Sequence, residues 1–193
     1  MKITMVAVSS VNGKITKGSN PNIYKWTSQE DKGLFFLMIA KNNLIVMGSK
    51  TYEAARHVIK LKKDKLRIVL TRKPNKYADE EVKGSLEFSS EAPLDLVGRL
   101  EKNGYKKMLL VGGGEINALF LKSKLVDELH LIIEPFIFSR GRDLVVDSEL
   151  DISLSLIKMI RLNKKGTLHL KYKVNKRGHR PRGPLARRGG ENE

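Results

Sequence analysis

The chain has 193 residues, 40% hydrophobic and 30% charged, which suits one globular domain with a core of normal size. It has no cysteine, which excludes disulfides and thiolate metal sites, and its four histidines (His57, His130, His169 and His179) are scattered without metal-ligand spacing, so no metal is expected. The formal charge is +16, from 37 Lys and Arg against 21 Asp and Glu, an excess that draws anions toward the surface.

Ile3 to Val8 is a β-branched apolar run and predicts a buried strand. Ser9 to Thr27 is polar and long for a connection, the kind of loop that carries function. Ser28-Gln29-Glu30-Asp31 reads as a capped helix start with first-turn acids, continued by Leu34, Phe35, Leu37, Met38 and Ile39 on one apolar face. Leu44 to Met47 predicts a second buried strand, Thr51 to Ile59 a short helix, and Leu66 to Leu70 a third strand ending at Thr71-Arg72-Lys73-Pro74. Leu86 to Phe88 is a short strand, and Pro93 to Lys102 a helix with proline where its missing N–H is harmless. Lys107 to Val111 is another strand, followed by three glycines and a helix through Leu121; Asp127 to Glu134 is a strand stopped by Pro135. Ser153 to Leu162 and Thr167 to Val174 alternate around Asn163-Lys164-Lys165-Gly166 and predict an antiparallel hairpin.

Strands alternating with helices imply a mostly parallel sheet covered on both faces, with the hairpin extending one edge. Residues 175–193 read as a basic disordered tail. No aromatic side chain is interleaved there for base stacking, which argues against nucleic acid as the main partner. No apolar run reaches the roughly 18 residues of a membrane span and no signal-peptide pattern opens the chain, so a cytoplasmic protein is expected.

Two of these strands end at glycine and pass directly into a helix, at Val46-Met47-Gly48-Ser49-Lys50-Thr51 and at Leu110-Val111-Gly112-Gly113-Gly114-Glu115-Ile116. Such junctions expose backbone N–H groups where phosphate is favoured. Each alone is more often an ordinary turn; two in one domain suggest a ligand with two or more phosphates, such as a dinucleotide. Neither matches the Rossmann or P-loop spacing.

In this order the motifs resemble the dihydrofolate-reductase-like superfamily, and most of all the reductase domain of riboflavin-pathway deaminase-reductases, over residues 1 to 174. The resemblance implies a three-layer α/β fold, an NADPH-dependent oxidoreductase and a homodimer. It implies a cofactor site from Ala7, Ile15, Gly48, Ser49, Lys50, Thr51, Thr71, Arg72, Gly113, Gly114, Glu115 and Ile116. Val6 to Ile15 matches the family strand and the Ser-x-(Asp/Asn)-Gly-x-Ile loop at the nicotinamide site, and Met47 to Glu53 resembles a Met-Gly-Arg-Lys-Thr-Tyr-Glu motif. Thr71, Arg72 and Lys73 place a hydroxyl and two cations where the cofactor 2′-phosphate lies, which favours NADPH over NADH.

Ser9, Asn12, Trp26 and Asp31 are the implied substrate-binding residues, and Asp31 the implied catalytic one. A carboxylate there can bind the N–H and amino group of a pyrimidine or pterin and assist protonation, or it can simply complement the helix dipole. Trp26 is read equally as core or as a pocket wall, and Asp127 and Glu128 as structural. The sequence departs from the family at Ser49, where an arginine is usual, and at Gly112, where the riboflavin reductases carry glutamate. The substrate therefore stays open between a phosphorylated pyrimidine, 5-amino-6-(5-phosphoribosylamino)uracil or its diaminopyrimidinone analogue, and the pterin of a dihydrofolate reductase. A basic nucleotide- or nucleic-acid-binding module is the alternative of a different class.

Overall fold

A computed structural model describes residues 1–146 and 149–176. The expected tail, residues 175–193, lies outside these from residue 177 onward. Among the described residues eight strands form one sheet: β1 (Lys2–Ser10), β2 (Leu44–Gly48), β3 (Leu66–Leu70), β4 (Leu86–Ser89), β5 (Lys107–Leu110), β6 (Glu128–Glu134), β7 (Leu154–Arg161) and β8 (Leu168–Val174). Their order is β4-β3-β2-β5-β1-β6-β8-β7, parallel from β4 through β6 and antiparallel where β8 joins β6 and β7 joins β8. This is the expected mostly parallel sheet with its terminal hairpin. Among the described residues four α-helices accompany it: α1 (Gln29–Ala40), α2 (Ser49–Ala55), α3 (Pro93–Lys102) and α4 (Gly114–Lys122). Among the described residues no helix is long and apolar enough to cross a membrane.

The central strands β2 and β3 are buried at every residue, as near-continuous apolar runs in a doubly covered sheet must be. One core packs Ile3, Met5, Val46, Ile68 and Met108 with Leu96 and Leu100 of α3 and Phe120 of α4. The other packs Val6, Ile45, Val69 and Leu109 with Leu34, Phe35, Met38 and Ile39 of α1. Tyr52, Tyr77 and Phe88 add edge-to-face and stacked ring contacts to this second core.

Three local expectations are corrected. Leu37 does not share the apolar face of α1: it is 59% exposed, because residues 31, 34, 35 and 38 hold the i, i+3, i+4, i+7 stripe toward the sheet. The second helix starts at Ser49 and ends at Ala55, four residues short of Ile59. The strand expected from Asp127 begins at Glu128, and the Asp127 carboxylate instead accepts the Ile3 N–H at 2.7 Å, tying β6 to the start of β1.

His130 on β6 and His169 on β8 meet with Nδ1 3.0 Å from Nε2, so one ring donates to the other. Burial, then the mutual charge, pushes His130 down to about 4, and burial lowers His169 as well. Because the folded pKa values are depressed, the unfolded chain takes up protons first as pH falls. The pair's contribution is complete above about pH 6.5, the ordinary histidine value, and is lost toward pH 4. Urea-unfolding midpoints should therefore fall between pH 6.5 and 4, and fall less in His130→Gln; an identical decline in the variant would show that the pair does not govern acid stability.

Candidate active site

The two glycine junctions lie side by side, because β2 and β5 are neighbours in the sheet and both point their C-terminal ends to the same rim. That rim is where open α/β sheets hold ligands. The Gly48 N–H donates to the Gly112 carbonyl at 2.8 Å. A Cβ at Gly48 would come within 2.7 Å of Ile116 Cγ1, and one at Gly114 would strike the Asp143 carbonyl, so only glycine allows this approach. Gly112 has φ +88°, and the Gly112–Gly113 peptide is cis. The N-cap residues of α2 and α4 are both glycines and supply no side-chain cap, so among the described residues no cap hydrogen bond occupies the amides of their first turns.

Charge collects above this cradle. Lys50 at the start of α2 bonds Glu115 at the start of α4, Nζ to Oε1 at 2.7 Å, with both side chains more than half exposed. The Lys50 hydrogen bond holds the Glu115 carboxyl below its usual range, and the nearby charges of Arg72 and Arg142 act the same way. Three cations thus surround one carboxylate, and an anion arriving there would compete for them. Thr71 extends from β3, its N–H donating to the Ser89 carbonyl at 2.9 Å, and Arg72 follows it into solvent. Arg142 has no signature in the sequence. Its loop folds over residues 13–18: the Arg142 N–H donates to Thr16 Oγ1 at 2.8 Å, and the Ile15 N–H to the Arg142 carbonyl at 2.8 Å. A Cβ at Gly141 would run into Thr16, which is the one local hint of this closure.

A second cluster sits at the C-terminal ends of β1 and β6. Asp31, in the first turn of α1, is 4% exposed, and its N–H donates to the capping Ser28 Oγ at 3.2 Å. Burial above all, helped by the charge of Glu134, pushes its carboxyl up to about 6. Glu134, at the end of β6, is 2% exposed and was invisible as a site residue in the sequence. Its two oxygens accept the Ser28 N–H at 2.7 Å and the Thr167 hydroxyl at 2.8 Å. Asn163 donates to Thr167 Oγ1 at 2.9 Å and to Glu30 at 3.1 Å. One buried carboxylate therefore clasps the start of α1 to the tip of the terminal hairpin.

Ser9 is buried on β1, and Ser10 lies in register with Glu134. Trp26 is buried edge-to-face on Phe138, ring centroids 5.1 Å apart, and among the described residues its indole N–H has no partner. Trp26 is thus packed as core while keeping an unused donor. Asn12 is spent on architecture: its Oδ1 accepts the Phe138 N–H at 3.1 Å and its Nδ2 donates to the Phe138 carbonyl at 2.8 Å. Ala7 pairs with Leu131 between the two clusters, and Ile15 is half-buried on the loop that joins them. Among the described residues no group of His, Asp and Glu could hold a metal ion.

Comparison with known proteins places this geometry in a family. The model of the RibD C-terminal domain matches residues 1–168. A curated relative, the uncharacterized protein YyaP of Bacillus subtilis, is 27% identical over 123 residues, 64% of this chain and 62% of that protein. The match therefore spans less than two thirds of the relative. A pyrimidine reductase-like protein from Corynebacterium diphtheriae superposes with a TM-score of 0.73 at 18% identity, over 90% of this chain and 92% of that one. A dihydrofolate reductase from Enterococcus faecalis, solved with NADP(H), superposes with a TM-score of 0.65 at 16% identity, over 90% of this chain and 96% of that one. These two share the fold.

Proposed function

This chain belongs to the RibD C-terminal domain family, and on that premise we propose that it is an NADPH-dependent reductase of 5-amino-6-(5-phosphoribosylamino)uracil or its diaminopyrimidinone analogue, forming the ribitylamino product. The observation that carries the reading is the pairing of two unlike clusters on one rim of the sheet. One is a glycine cradle ringed by Lys50, Arg72 and Arg142; the other is a buried carboxyl, Asp31, pushed up to about 6.

The residues present fit a dinucleotide. Gly48 and Gly112 to Gly114 keep side chains out of the cradle, and the first-turn amides of α4 have no side-chain cap. Arg72 and Thr71 would hold the 2′-phosphate, and Lys50 would exchange Glu115 for a phosphate oxygen. Bound there, the cofactor supplies the hydride. Asp31, its carboxyl pushed up to about 6 by burial, holds below that pH a proton at its carboxyl oxygen for the reduced centre, and Glu134 holds the helix that presents it.

A pterin substrate, as in a dihydrofolate reductase, is the second reading. The burial of both Asp31 and Trp26 favours it, as does glycine at position 112.

Turnover of the two substrates, followed by loss of reduced-nicotinamide absorbance, decides between them. Reduction of dihydrofolate without reduction of the phosphoribosylamino compound would reject the first reading. The cofactor assignment is tested separately. Arg72→Ala should weaken NADPH binding roughly ten- to a hundredfold by loss of a charge-assisted contact, and leave NADH binding nearly unchanged. The salt dependence of NADPH binding should flatten with it. Equal losses for both cofactors would remove Arg72 from the phosphate site.

A further inference from the structure

The rim opposite the active site, where the strands begin, holds a cavity of about 370 Å³ that takes no part in the proposed reduction. It opens between the C-terminal end of α1 and the starts of β2, β3 and β5, which are neighbours in the sheet. Lys41, Lys65, Lys106 and Lys107 line it, with Asn43 and a single carboxylate, Asp64. The two other lining residues, Ala40 and Gly104, are small, so no aromatic or large apolar side chain enters the wall. Ligand pockets are ordinarily apolar with a few polar groups; this one reverses the balance.

Among the described residues none of the four ammonium groups forms an ion pair with a carboxylate. Asp64 acts on Lys65 through space only. Lys65 is 6% exposed and is fixed by donating to the Ile39 carbonyl at 2.7 Å and to the Asn42 carbonyl, which leaves a third N–H for a ligand. Those two bonds cover the negative end of α1. Lys41, Lys106 and Lys107, all exposed, are therefore surplus to the helix, and Asp64 alone on the wall offsets their repulsion. Arg67, two residues beyond Lys65, adds a buried guanidinium whose Nη1 has no hydrogen-bond partner among the described residues. Burial above all, and the charge of Arg67, hold the Lys65 ammonium below its ordinary range. A cleft lined by one sign of charge focuses its field on a counter-ion, and a compact ion with several charges meets several ammonium groups at once.

We propose that this cavity is a binding site for condensed phosphate, several phosphoryl groups linked in one compact anion, held by Lys41, Lys65, Lys106 and Lys107. Ammonium groups hold phosphate as point charges and need no flat or apolar surface, which matches a wall without aromatic side chains. The same wall gives a base nothing to stack on, so neither a nucleotide's base nor a nucleic-acid strand adds to the fit. The cavity lies at the far ends of the strands that lead to Gly48, Thr71 and Gly112, so an ion bound here leaves the glycine cradle free.

Inorganic tripolyphosphate titrated into the full chain at constant ionic strength should shift the backbone amides of Asn43 and Gly104 in heteronuclear NMR spectra, and the shifts should saturate. Lys41→Gln, Lys106→Gln and Lys107→Gln should each weaken binding roughly two- to fivefold, and the triple variant roughly ten- to a hundredfold. Circular dichroism should not change, since all three side chains are exposed. Asp64→Asn should tighten binding by a factor like that of one lysine. Arg72→Ala, at the opposite rim, should leave these shifts as they are, which separates this cavity from the cradle. ATP should bind no tighter than tripolyphosphate. Shifts reproduced by sodium chloride alone overturn the proposal, as do equal affinities for wild type and the triple variant, or weaker binding by Asp64→Asn. A single-stranded oligonucleotide that shifts Asn43 and Gly104 at a lower phosphate concentration than tripolyphosphate also overturns it, and assigns the lysines to a nucleic-acid surface.

Discussion

Asp31→Asn is expected to lower kcat by roughly 10²- to 10⁴-fold, the range a positioned general acid supplies. The side chain keeps its size and loses only the transferable proton. In the wild type, activity should decline as pH rises past about 6, because that is where the buried carboxyl gives up its proton. The variant should lack this basic limb and bind NADPH as the wild type does, since Asp31 lies away from the glycine cradle. Stability should move the other way. The carboxyl's folded pKa lies above its ordinary 3.8, so ionisation penalises the folded state progressively between about pH 4 and 6 and fully above that. Asparagine carries no such penalty, and the variant should gain in unfolding midpoint relative to wild type at pH 7 and not at pH 4. Steady-state pH profiles with thermal melts at the two pH values check both halves; undiminished turnover would strip Asp31 of its chemical role.

Glu134→Ala is expected to cost about 2–6 kcal/mol of stability. It leaves two donors, the Ser28 N–H and the Thr167 hydroxyl, without their buried acceptor, at roughly 1–3 kcal/mol each. For a domain of this size that corresponds to a melting point lower by roughly 4–24 °C. Glu134→Gln separates architecture from charge. Its amide oxygen still accepts one of the two donors, and the Thr167 hydroxyl can turn to accept from its NH₂, so most of the stability should return. The negative charge that helps hold the Asp31 carboxyl up is gone, so the basic limb of the activity profile should move below pH 6. Equal melting points for wild type and the alanine variant would show that the clasp is not needed for the fold. An unmoved pH limb in the glutamine variant would show that Glu134 does not tune Asp31.

The parts of this protein that could be read from the chain are those written in neighbouring residues. β2 is an unbroken apolar run and β3 one interrupted only by Arg67, Ser28 sits three residues before an acid at a helix start, and Gly48 and Gly112 to Gly114 close two strands where helices begin. Each signal spans fewer than a dozen positions and follows from strand period, capping chemistry or glycine's lack of a Cβ. The basic turn at Thr71-Arg72 was legible on the same terms, as a strand end followed by cations. Arg142 was not, since nothing near it shows that Gly141 lets its loop lie against Thr16, some 125 residues earlier in the chain. Glu134 was harder still. A glutamate at the end of a strand, followed by proline, reads as a solvated terminus, and only the strand order β1-β6-β8 brings it under Ser28, 106 residues away, and Thr167, 33 residues away.

The alternation of residues 153–162 announced a strand, while its exposed place at the edge of the sheet depended on β8 lying between it and β6. The sequence by itself determined the elements, the glycine cradle and the reductase-like order of motifs, because those rest on local sterics and hydrophobic period. The tertiary structure alone decided which carboxylates are buried, which cations converge and which strand stands exposed at the edge. Burial and charge proximity depend on distances between residues far apart in sequence, and the packing of the whole sheet sets those distances.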